Sequence, residues 1–162
     1  MNKFLSLIFP VLILTACAGQ PEYQTTCQAD IDGLTRSAAF VMPRISLPQF
    51  ADRTFSVLDY GADPTGVALS TDAIQRAIDE CSAAGGGTVV IPEGIYLTAP
   101  LTLKSNVRLY TDYNCFVLFS HDLNLYEIHD EWFEGIPTKR CTSPLNALGA
   151  ENIAITGHGT FN

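Results

Sequence analysis

Positive charge is scarce in this sequence: nine Lys and Arg stand against seventeen Asp and Glu, a net charge of −8. Nucleic-acid binding is driven by clustered Lys and Arg on phosphates, so a nucleic-acid partner is excluded. Charged residues of both signs reach only 16% while apolar ones reach 47%, a balance that excludes a disordered chain. The five cysteines never take a C-x-x-C spacing, and no H-E-x-x-H occurs; neither a metal site nor a cofactor is expected. Long apolar runs are missing too. The N-terminal run, Phe4 to Ala16, has 13 residues with Pro10 inside it, against ~20 for a membrane span.

That run, behind Lys3, reads instead as a secretory signal peptide over residues 1–16. Its end, Leu14-Thr15-Ala16-Cys17, resembles the lipobox of bacterial lipoproteins. The resemblance implies that Cys17 is acylated and becomes the mature N-terminus; the rival is an ordinary signal cut near Ala16 or Ala18. More than one acyl chain anchors stably, whereas one holds only marginally. The expected location is therefore a membrane facing the periplasm or cell surface, with Ala18 after the Cys pointing to the outer membrane. Losing the leader removes Lys3 and leaves 8 basic against 17 acidic residues, −9. An anionic polysaccharide would then need local basic groups such as Lys104, Arg108, Lys139 or Arg140, whose plainer role is solvated surface charge. Cys27, Cys81, Cys115 and Cys141 remain, with three possible pairings that sequence does not separate. Cys81 lies on the apolar stripe of a helix and Cys115 opens an apolar run, so both are expected as buried thiols or one bridge.

Residues 17–53 carry Pro21, Pro43 and Pro48 and no clear period; they read as a tether and irregular lead-in. From Thr54 the pattern sharpens. Thr54 to Tyr60 alternates as a strand, and Gly61 to Gly66 reads as a turn. Thr71 to Ala84 is a helix with Ala73, Ile74, Ala77, Ile78 and Cys81 on one stripe. Ser70, Thr71 or Asp72 can cap its start with Gln75 in a near capping box, and Gly85-Gly86-Gly87 ends it. Short apolar strands follow at Thr88–Pro92, Ile95–Thr98, Leu101–Leu103, Val107–Thr111 and Cys115–Ser120. Their connections are too short for crossovers in a flat parallel sheet, which leaves antiparallel hairpins or a coil winding in one direction. Asn106-Val107-Arg108-Leu109 and Asn152-Ile153-Ala154-Ile155 look alike and begin 46 residues apart. That distance fits two coils of about 23 residues or one coil enlarged by an insertion. The charged and aromatic stretch His121 to Arg140, without strand alternation, favours the insertion.

With those residues in view, "FSVLDYGADPTG" and "TDAIQRAIDECSAAGGGTVVIPEGIYLTAPLTLKSNVRLY" resemble the opening of right-handed parallel β-helix enzymes acting on pectin. The stretch "EGIPTKRCTSPLNALGAENIAITGHGT" is similar to bacterial polygalacturonases of glycoside hydrolase family 28. The resemblance covers residues 54–120 and 134–162. It implies a mainly β chain, a right-handed parallel β-helix whose N-terminal α-helix caps the coil and hides its core. It also implies a pectic polysaccharide or oligogalacturonide substrate, and a monomer when full length. Asn114-Cys115, Asn146 and Phe161-Asn162 depart from the usual pattern, which has Gly-Ala, an apolar residue and Ile-Asp there.

The same resemblance locates the chemistry outside these residues. Family 28 carries its acid and base carboxylates in an N-T-D motif and a D-D pair, followed by G-H-G and R-x-K motifs. No N-T-D, D-D or such R-x-K occurs here. Gly157-His158-Gly159 occupies the "ITGxGT" turn that precedes the catalytic motifs, so His158 is read as a turn residue. No catalytic residue is assigned; the carboxylates are expected beyond Asn162, with residues 54–162 forming the first coils of a longer protein. Ser120-His121-Asp122 names the residue types of a hydrolase triad, but sequence neighbours on a strand point apart. His121, Asp122, His129, Asp130 and Glu131 read as a solvated loop, and Trp132 with Phe133 as a packed insertion. Two rivals to a galacturonan hydrolase are a non-catalytic β-helix for carbohydrate binding or structure, and a pectate-lyase-like enzyme.

Overall fold

A computed structural model describes residues 28–162; the signal peptide, Cys17 and Cys27 lie outside the described residues. The chain divides into two units, residues 1–47 and residues 48–162. In the first, α1 (Gln28–Arg36) is a helix with no buried residue. The Gln28 side chain donates to the Ile45 carbonyl at 2.7 Å and accepts from the Leu47 amide at 3.0 Å. The irregular lead-in expected there is thus partly helical. The helix has nine residues and only Ile31 and Leu34 as large apolar ones, too few to mark a stripe in the sequence.

The second unit is built from strands that return to the same three sheets. Sheet A contains β1 (Thr54–Ser56), β3 (Gly87–Ile91), β6 (Val107–Thr111) and β11 (Ala154–Gly157). Sheet B contains β2 (Thr65–Leu69), β4 (Gly94–Thr98), β7 (Cys115–Phe119) and β12 (Thr160–Phe161), and sheet C pairs β5 (Leu101–Thr102) with β10 (Leu145–Asn146). All pairs within these sheets are parallel. Chain order runs A, B, C and back to A, the path of a parallel β-helix. Arg108 faces Thr88, twenty residues before it, and Ala154, forty-six after it. The two similar asparagine-led strands are therefore direct neighbours, and the long spacing is one coil enlarged by an insertion, as the sequence suggested.

Alternate residues point inward along each strand, so Val89, Ile91, Tyr96, Val107, Leu109 and Val117 meet in one core. Helix α2 (Thr71–Ala83) closes it by burying Ala73, Ile74, Ala77, Ile78 and Cys81, the stripe read from the sequence. Cys81 and Cys115 are buried free thiols and Cys141 is an exposed one. Burial pushes the Cys115 thiol up to about 11, and Cys81 is raised for the same reason. Both are therefore protonated, inert core groups at neutral pH.

The polar side chains of α2 differ from the capping roles expected of them. Ser70 makes no side-chain cap; its hydroxyl accepts from the Asp63 amide at 2.9 Å. Thr71 accepts from the Ala99 amide at 2.7 Å. Gln75 is no capping-box partner. Its amide donates to the Thr102 carbonyl at 3.0 Å and accepts from the Thr102 amide at 2.9 Å. A side-chain amide has the donor and acceptor of a peptide group, so Gln75 serves β5 as the missing neighbouring strand.

The turn at Gly61 to Gly66 is tightened by a carboxylate. Asp63 accepts from the Ala68 amide at 2.8 Å, the Thr65 hydroxyl at 2.7 Å and the Thr65 amide at 2.9 Å. These bonds, the Ala68 amide foremost, hold its pKa down at about 2, below the ordinary 3.8. A pKa depressed by folding contributes stability that is complete above the unfolded value and lost as pH falls toward the folded one. Asp63→Ala is accordingly expected to be less stable than the parent at neutral pH, with the gap closing between about pH 4 and pH 2. Thermal melts across that range check it; a gap independent of pH would refute the carboxylate's role.

Candidate functional site

Two places in the fold carry chemistry-bearing side chains outside the core. The first is the turn from sheet A to sheet B. On the outermost described coil it consists of Gly157-His158-Gly159, and on the coil before it of Asp112-Tyr113-Asn114. The His158 ring stacks on Tyr113 with centroids 3.9 Å apart and planes 11° from parallel, and its amide donates to the Thr111 carbonyl at 2.9 Å. Gly157 has φ +107°, and a side chain there would fall on the Thr111 carbonyl. Asn114 takes a left-handed φ of 56°, the reason this position accepts Asn where the resembled family has Gly. His158 is held as part of a stacked turn.

The second place is the insertion. Strands β8 (Ile128–Phe133) and β9 (Ile136–Cys141) form an antiparallel hairpin that pairs with no other sheet. The sequence there lacks strand alternation and implies a solvated loop, so the hairpin is a correction to that expectation. Every residue of the hairpin except Thr138 is exposed, so neither face carries the apolar alternation that reveals a half-buried strand. The readable signal was the turn. Glu134 and Gly135, at φ 51° and 81°, give the paired left-handed geometry of a two-residue hairpin loop. Trp132 and Phe133 are 70% and 53% exposed, not packed as expected. Lys139 meets Asp130 at 2.9 Å, Arg140 meets Glu131 at 3.5 Å, and the Arg140 guanidinium lies 5.5 Å over the Phe133 ring. A concavity of about 510 Å³ is lined by Asp130, Glu131, Trp132, Pro137, Thr138 and Lys139.

The remaining candidates are placed plainly. Ser120 accepts from the Asp122 amide at 3.1 Å, and Asp122 accepts from the Asn124 amide at 3.0 Å; both serve a local turn and form no relay with His121. His129 reaches only Glu131, at 3.9 Å, and no cluster of three His, Cys, Asp or Glu suited to a metal occurs among the described residues. Arg108 donates to Thr88 at 3.0 Å and lies 5.8 Å over Phe50, so the basic residues do not converge. Asn146 accepts from the Thr102 hydroxyl at 3.0 Å and donates to the Leu101 carbonyl at 3.2 Å, which accounts for a polar residue on sheet C.

A family described as Rhamnogalacturonase A/epimerase, pectate lyase-like, matches residues 54–118. An exopolygalacturonase of Thermotoga maritima superposes with a TM-score of 0.66 and 37% identity over 73% of this chain and 26% of that one. The matched residues are a segment of a pectate-lyase-like β-helix, and the chain is polygalacturonase-like. A family 28 exopolygalacturonase of Yersinia enterocolitica superposes with a TM-score of 0.62 and 32% identity over 68% of this chain and 20% of its own. The exo-poly-α-D-galacturonosidase of Dickeya chrysanthemi is 31% identical over 109 residues, 67% of this chain and 17% of its own length. This polygalacturonase-like chain therefore spans less than a fifth of that curated relative.

The stacked turn yields a stability test. Gly157→Ala forces both a rare backbone angle and a clash, and is expected to cost about 3 kcal/mol or more. His158→Ala removes the ring stack on Tyr113, worth about 1 kcal/mol. Urea unfolding measures both; a neutral Gly157→Ala would show that the turn is not held as described.

Proposed function

We propose that this chain supplies the capping helix and first coils of a surface-anchored glycosidase that hydrolyses galacturonan with inversion. The observation that carries the reading is the reach of the likeness. It runs past the opening motif, which other β-helix proteins share, to 67% of the chain with the Dickeya exo-poly-α-D-galacturonosidase.

Inversion requires one carboxyl to protonate the leaving oxygen and a second carboxylate to activate water, ~6.5–9.5 Å apart. The reaction consumes water and needs no metal or cofactor. The family's motifs for that pair are absent from these residues, and Asp63 is committed to its own loop. The role of this chain is then to close the apolar end of the coil and set the register in which later coils stack. Purified chain is expected to release no reducing ends from polygalacturonate at any pH. Hydrolysis above a mock-purified control would overturn the assignment of the carboxylates elsewhere.

The anchor is the second element of the reading. Cys17, in its lipobox-like context, would carry the acyl chains and tether the coil at the outer membrane. Growth with a tagged fatty acid followed by membrane fractionation is expected to label the parent and not Cys17→Ser. Equal labelling and partitioning of the two would refute the anchor.

A further inference from the structure

We propose that the β8–β9 hairpin is a binding arm for an acidic polysaccharide, with Trp132 carrying a sugar ring and Lys139 its carboxylate. The identity of that polysaccharide as galacturonan rests on the function proposed above; the arm itself rests on the hairpin.

The hairpin leaves the coil between β7 and β10, where the preceding coil makes only the short turn Ala99-Pro100 between β4 and β5. Its strands pair with each other alone, and none of its residues belongs to the core. Packing therefore gives no reason for Trp132, a residue that is 70% exposed. Cross-strand partners in an antiparallel pair share a face. Asp130 is opposite Lys139 and Trp132 opposite Pro137, so one face presents an indole, a proline ring, a cation and a carboxylate side by side. That set matches a uronate. The apolar face of a pyranose ring packs on an aromatic plate, its carboxylate takes a charge-assisted bond from the ammonium, and its hydroxyls donate to Asp130. Asp130, Trp132, Pro137 and Lys139 also line the open depression at the hairpin.

The arm's charges are mixed, with Asp130, Glu131 and Glu134 beside Lys139 and Arg140, so the anion is held at Lys139 itself and not by a net positive field. Arg53 donates to the Ala84 carbonyl, Arg76 to the Tyr60 carbonyl at 2.6 Å and Arg108 to Thr88, so these three serve the fold. Lys139 and Arg140 are exposed on opposite faces of β9, and on the Trp132 face Lys139 is held only by Asp130, with side chains 74% and 85% exposed. Exposed pairs of this kind are weak, so a substrate carboxylate exchanges for Asp130 at little cost.

Trp132 is the sole tryptophan of the chain, so its fluorescence reports on the arm directly. The test is titration of the full chain with oligogalacturonate while emission is read. It is paired with affinity electrophoresis in gels holding polygalacturonate, fully methyl-esterified pectin or alginate. The parent is expected to shift its emission and to be retarded by polygalacturonate, less by the esterified polymer and less at high salt. Trp132→Ala should weaken binding about tenfold, with Lys139→Gln showing a smaller loss. Since the hairpin lies outside the core, circular dichroism of both variants should match the parent. Binding unchanged in both variants, or emission unmoved at saturation, would overturn the arm. So would no retardation by any acidic polymer. Retardation by alginate in place of polygalacturonate, lost in Trp132→Ala, would support the arm while overturning the galacturonan reading.

Discussion

The structure depends on one constraint: each coil must supply the hydrogen-bond partners for the backbone of the next. In parallel strands this forces successive coils into register, so equivalent residues stack one above another. Asn106 and Asn152, both left-handed at φ 65° and 54°, stack in this way, and the Asn152 amide donates to the Asn106 side chain at 3.0 Å. Gly86 lies beneath them, where a side chain would meet the Asn106 carbonyl oxygen at 2.5 Å. A coil has no strand before its first, and that end is where the constraint is hardest to meet. Helix α2 meets it with side chains in place of strands: Gln75 on Thr102, Thr71 on Ala99, and Ser82 on the Ser105 carbonyl. Among the described residues no buried side-chain nitrogen or oxygen is left without a partner.

The same constraint explains how the coil tolerates a long insertion. Leu101 faces Leu145 across it, and Phe116 faces Thr160, so the register closes as if the extra residues were absent. The hairpin satisfies its own backbone, strand against strand, and asks nothing of the sheets. A segment free of packing demands is free to carry binding chemistry. This division, with the scaffold set by pairing and the function placed on what pairing leaves alone, lets one fold serve relatives with different activities.

The scaffold was legible because burial writes a period into sequence. The stripe from Ala73 to Cys81 and the alternation of Val107, Leu109 and Thr111 each mark a face turned to the core. The repeated asparagine-led strands marked successive coils, since both need the same backbone angles at the same corner. The hairpin was illegible for the opposite reason. With both faces in water, Ile128 to Cys141 has no period to show, and only the Glu134-Gly135 turn hinted at it. Helix α1 was illegible because nine residues with two large apolar side chains carry too little pattern.

By itself, the sequence determined the capping helix, most strands of the coil, the burial of Cys81 and Cys115, and the family resemblance. These follow from local pattern and from apolar residues that have only one place to go. Tertiary structure alone decided what the polar residues do. Ser70 and Gln75 have the chemistry of helix caps, yet one secures the Asp63 turn and the other completes a sheet edge. His158 has the chemistry of a catalytic base, yet it lies flat on Tyr113. A polar side chain bonds to whichever unpaired group the fold brings within reach, and that group comes from another coil, far away in sequence.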